Sequence, residues 1–295
     1  MSYPHASRIR RAAAPVASAV LVLALSACLP APAPAGPTAG PTASPSTGNA
    51  VPSAHIHGLA VNGATHQVLV ATHDGLFDLT EQPATKIGPS NDLMGFTAGQ
   101  EEGVYYASGH PGEGSDLPDP LGLLRSRDGG NSWEQLSRQG ESDFHALTTT
   151  KSGIVAFDGT LRTSKDGKNW TAVATDFEPA VLAGSPHSDT VLATTPGGIR
   201  RSTDGGNTWL SVQSGPVIQF AAFASPTEAF GVEPDGAVHY SGDGGASWTR
   251  KGRIDGEVQA IAAAKGVDGK PWIWAATIEG LVVSADGEMF RPAGA

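Results

Sequence analysis

The octapeptide S-x-D-G-G-x-[ST]-W occurs three times, as SRDGGNSW from Ser126, STDGGNTW from Ser202 and SGDGGASW from Ser241. Shortened copies, SKDGKNW from Ser164 and SADGEMF from Ser284, complete a series whose serines lie 38, 38, 39 and 43 residues apart. Two short β-rich runs precede each copy, and the runs define six units: HIHGLAV with QVLVAT, MGFTA with GVYYAS, FHALTT with GIVAF, AVLAG with TVLATT, QFAAFA with EAFGV, and VQAIAA with WIWAAT. A period of about 40 residues built from short strands is that of a four-stranded propeller blade, which buries its apolar faces only against neighbouring blades. The expectation is an all-β chain whose residues 55–295 form a single β-propeller, with six blades of four antiparallel strands. Closing the ring removes exposed sheet edges, which suits an all-β chain, and the protein is expected to be a monomer. The first unit carries DLTEQPATKIG where the repeat should stand. Such an atypical end unit is expected where strands from both chain ends complete the ring.

Each letter of the repeat has a structural use. Asp128, Asp166, Asp204, Asp243 and Asp286 can accept hydrogen bonds within a turn, and the glycines supply positive φ. Trp133, Trp170, Trp209 and Trp248 then return into the sheet as large rings available for burial between blades. The motif resembles the Asp box of sialidases and related propellers, and the resemblance implies a structural staple rather than a catalytic element.

The amino terminus reads as an export signal over residues 1–27, with Arg8, Arg10 and Arg11 ahead of the apolar run SAVLVLALSA. That run is too short for a comfortable membrane span. LSAC, Leu25 to Cys28, resembles the bacterial lipobox, and the resemblance implies cleavage before Cys28 and its acylation. Residues 28–54, almost wholly Ala, Pro, Gly, Ser and Thr, read as an extended tether that holds the domain off the bilayer. The expected location is the extracellular face of the cell membrane. Cys28 is the sole cysteine, which excludes an internal disulfide and a thiolate metal site in the domain. Removing three arginines turns 19 basic and 29 acidic residues into 16 against 29, a net charge of −13 that argues against nucleic acid as a partner.

In a blade, the start of the innermost strand and the loop between the second and third strands share one face, opposite the repeat turns. Aligned inner strands place His57, Met94 and His145 at equivalent positions, with His55, Asp92 and Asp143 two residues earlier and pointing the same way. The second-to-third-strand loops add His73, Asp74, His110, Asp158, Glu233, Asp235 and Glu279. Five of the nine histidines therefore converge on one channel mouth. His57, His73, His110 and His145 are candidate ligands of a transition-metal ion; neutral imidazoles beside the thioether of Met94 suit copper, and the carboxylates widen the choice. Hydrogen-bonded packing of the same histidines is the structural alternative. The insertion PGEGSDLPDPLG after His110 rises from this face as a candidate wall or lid.

The segments HIHGLAV, ATHDGLF, DLMGF, ASGHPGEGSDLPDPLGLLRSRDGG and DFHAL resemble a family of bacterial surface lipoproteins labelled glycosyl-hydrolase-like. The label follows the fold, and a fold does not carry a reaction with it. A reaction like that of the known sialidases needs three arginines, a tyrosine and a glutamate at the channel. Here Arg125, Arg127, Arg162, Arg200 and Arg201 flank the repeat turns, and only Arg138 and Arg253 come from connections that reach the binding face. The preferred expectation is a lipid-anchored binding module, not an enzyme, that takes a metal, small ligand, glycan or protein at the His-rich mouth. A divergent glycoside hydrolase using two of Asp74, Asp92, Asp143 and Glu279 is the second reading. An assembly scaffold for an envelope complex is the third.

Overall fold

The computed structural model describes residues 55–212 and 215–293; the expected signal segment, Cys28 and the tether lie outside them. The described residues form six four-stranded antiparallel sheets arranged as a β-propeller. Each sheet is built from four strands consecutive in sequence. The first blade, for example, runs through Ile56–Val61, Val68–Thr72, Gly75–Asp78 and Thr85–Ile87. No strand is exchanged between chain ends among the described residues, so the expected shared closure is corrected. Thr85–Ile87 supplies the fourth strand of the first blade even though its turn lacks the repeat.

Closure is instead a matter of packing. Ile56, Val68 and Val70 of the first blade share one apolar cluster with Ala260, Trp274 and Leu281 of the sixth. The other five seams each take the aromatic residue of a repeat turn: Trp133, Trp170, Trp209, Trp248 and Phe290 pack in turn against the clusters that join successive blades. Five repeat turns thus serve five seams, and the unit without a repeat falls at the ring's closing seam. The tryptophans are half-buried rather than enclosed. Trp170 Nε1 donates to Ser137 Oγ of the preceding blade at 2.9 Å, while Trp209 Nε1 donates to its own turn at Gly206 O, 2.8 Å away.

Within the full repeats the buried anchor is the serine, and the aspartate faces solvent. Ser202 Oγ accepts the Gly206 N–H at 2.9 Å and donates to Asp204 Oδ1 at 2.7 Å. Asp204 in turn accepts the Thr208 N–H at 2.9 Å and the Thr208 hydroxyl at 2.6 Å, which explains the [ST] of the motif. Ser126 and Ser241 repeat this pattern with Asp128 and Asp243. The second glycine is fixed by the neighbouring blade: a Cβ on Gly130, at φ 93°, would meet Leu76 Cδ2 at 2.2 Å, and one on Gly245 would meet Leu192 Cδ2 at 2.5 Å.

Candidate metal centre

The inner strands of all six blades line a central channel of about 710 Å³. At its mouth the ladder of the first blade is irregular: Ile56 pairs with Thr72 and Gly58 with Ala71, so His57 is skipped. A bulge of this kind bends the strand and re-aims the extra side chain. His73 arrives from the adjoining hairpin, where Thr72 Oγ1 accepts the Asp74 N–H at 3.1 Å and donates to Gly75 O at 3.0 Å. Gly75 takes φ 120°, which lets two residues reverse the chain and leaves His73 at the tip. Asp92 enters from the start of the second blade's inner strand, Asp92–Ala98.

These three side chains converge. His57 Nε2 lies 3.3 Å from both ring nitrogens of His73, His73 Nδ1 lies 2.9 Å from Asp92 Oδ2, and His57 Nε2 lies 3.9 Å from Asp92 Oδ1. One ligand atom from each falls within 4.8 Å of the others. Asp92 Oδ1 is buried and makes no hydrogen bond among the described residues. Burial, then His73, lowers the His57 pKa from 6.5 to about 4; Asp92 opposes the shift, and His55 and His145 add to it. His57 is therefore neutral and keeps a lone pair at any pH near neutrality. The exposed His55 ring stands 5.0 Å from His57 and 6.0 Å from His73.

His110 and His145 gather instead around Asp143. Asp143 Oδ2 lies 2.5 Å from His145 Nε2 and 3.2 Å from His110 Nε2, while its Oδ1 is buried without a hydrogen bond among the described residues. The other nitrogen of His110 lies 2.6 Å from Asp119 Oδ1. The Asp119 hydrogen bond, opposed by burial and reinforced by Asp143, raises the His110 pKa above 6.5. With carboxylates at both nitrogens, the ring donates to each when it is protonated. Sequence reasoning missed Asp119, which returns to His110 only because the proline-rich insertion folds back on itself.

The remaining candidates are more dispersed. Met94 is half-buried in the channel wall, in a second bulge. Asp74 and Glu279 are exposed, and Glu279 lies over Gly256. Asp158 holds Arg162 at 3.0 Å and Arg138 at 3.5 Å, Asp235 holds Arg253 at 3.0 Å, and Glu233 holds His239 at 2.5 Å. Both arginines expected within reach of the binding face are thus paired with carboxylates. Tyr105 packs in the seam between the first two blades and Tyr106 in the next.

No protein-family model and no curated protein matches the chain. Among solved structures it is similar to the GH74 enzyme of Niastella koreensis, at 15% identity and a TM-score of 0.54, over 81% of this chain and 37% of that one. An ancestral GH74 enzyme gives 13% and 0.51, over 78% and 36% of the two chains. Virginiamycin B lyase from Staphylococcus aureus gives 13% and 0.52, over 81% and 84%. The chain spans little more than a third of the length of either GH74 enzyme. At such identities the likeness shows the β-propeller fold alone.

Proposed function

We propose that the protein is a lipid-anchored, extracellular β-propeller module that binds a transition-metal ion at its channel mouth. The observation that carries the reading is the meeting of His57, His73 and Asp92, with one buried carboxylate oxygen left without a hydrogen bond. Two imidazoles and a carboxylate gathered at one side of an open channel suit a first-row transition-metal ion and leave positions for a further ligand. The Asp92 carboxylate on His73 Nδ1 fixes the ring, so that the opposite nitrogen faces the ion. Anchoring rests on the lipobox-like LSAC, the basic segment before it and the proline-rich tether.

The hydrolase reading is less well supported. Asp92 and Asp143 are each engaged by imidazoles rather than standing as a free pair across a cleft.

Metal analysis of untagged protein tests the proposal. Wild type is expected to retain close to one equivalent of copper or zinc after desalting, and a double His57→Ala, His73→Ala variant is expected to retain none. Equal retention by the two proteins would refute the site.

A further inference from the structure

The irregularity that frees His57 recurs in the next blade with no role in the triad. Leu93 pairs with Gly109 and Gly95 with Ser108, so Met94 is skipped by its ladder as His57 is by its own. Each skipped residue is followed by a glycine at a close approach. A Cβ on Gly58 would lie 2.9 Å from Phe96 Cβ, and one on Gly95 would lie 2.2 Å from the Phe144 carbonyl oxygen. Neighbouring inner strands thus approach closely next to His57 and next to Met94. The side chains of His57, Met94 and His145 line the channel. Asp92 and Met94 are both half-buried, on either side of the buried Leu93.

Resting on the metal reading above, we propose that Met94 is a further ligand of the ion held by His57 and His73, and that the ion is monovalent copper. Its thioether is a weak hydrogen-bond acceptor, and Met94 lines the channel together with His57 and His145. Thioether and imidazole together select monovalent copper, whereas divalent zinc gains little from a neutral sulfur. Asp92 orients the His73 ring through Oδ2, while its unbonded Oδ1, 3.9 Å from His57 Nε2, stays within reach of the ion.

Competition titrations of full-length protein under anaerobic conditions test this, with bicinchoninate against monovalent copper and a chromophoric chelator against zinc. A Cys28→Ser background removes the only thiol. Met94→Leu is expected to weaken copper binding about tenfold or more and to leave zinc binding within about twofold. X-ray absorption of copper-loaded Cys28→Ser protein is expected to show one sulfur neighbour, a readout that does not depend on whether the Met94 variant folds. Unchanged copper affinity in Met94→Leu, or no sulfur neighbour, overturns the role of Met94 while leaving the His57 and His73 site intact. Failure of the parent protein to take up either metal overturns the underlying metal reading.

Discussion

His57 meets His73 edge-on, its Nε2 3.3 Å from both of that ring's nitrogens and the two rings crossed at 81°. One nitrogen placed between the two nitrogens of another ring has a single proton or lone pair to share between them. Burial of His57, and after it the neighbouring His73, disfavours a proton on this ring, which is why it is held neutral.

The first prediction follows from that neutrality and concerns metal-free protein. With a folded pKa of about 4 against an ordinary 6.5, the unfolded chain takes up a proton between these values that folded His57 refuses. Its contribution to stability is full above pH 6.5 and falls by about 2–3 kcal/mol as the pH drops to 4. His57→Asn should flatten that part of the stability curve in urea titrations at several pH values. His110 has the opposite sign, since its raised pKa gives a contribution present below pH 6.5 and lost as the pH climbs through the raised value. NMR titration should place the His57 midpoint near 4 and that of His110 above 6.5; the reverse order would contradict the two environments described.

A second prediction concerns the repeat turn, where the buried Ser202 Oγ is the acceptor for the Gly206 N–H. Ser202→Ala leaves that amide buried without a partner and should cost about 1–3 kcal/mol. Asp204→Asn keeps an acceptor oxygen at the solvent-facing position and should cost less. Chemical denaturation of both variants checks the ranking, and a larger loss at Asp204 would show that the carboxylate rather than the serine anchors the turn.

Trp209 closes the seam between the third and fourth blades, lying edge-on to Phe177 at 5.4 Å. Because the indole is half-buried, Trp209→Ala is expected near the lower end of the range for such truncations, about 3 kcal/mol. Trp209→Phe should recover most of the apolar contact and lose only the hydrogen bond to Gly206 O. A denaturation midpoint unmoved by the alanine substitution would remove the ring from the forces that join these blades.

The anchoring proposal is checked by fractionation. Cys28→Ser removes the one residue that a lipobox could acylate, so the variant should appear in the soluble fraction while wild type stays with membranes. Retention of the variant on membranes as firm as that of wild type would show that Cys28 is not the anchor.

The sequence by itself determined the propeller and its six units, because the repeat depends on short-range chemistry that closes a turn within five residues; that the buried serine rather than the aspartate anchors the turn emerged only from the structure. The sequence also placed His57, Met94 and His145 on one rank of the channel mouth, since strand alternation and the repeat period fix which inner-strand positions are equivalent. Only the tertiary structure decided which histidines meet. His57 and His73 share Asp92, whereas His110 and His145 share Asp143, because two ladder bulges and the folded-back insertion re-aim side chains by amounts that no spacing in the chain encodes. Closure of the ring was likewise settled in three dimensions. The first blade finds all four of its strands locally, and its seam with the sixth blade is held by apolar packing that depends on residues some 200 positions apart in the sequence.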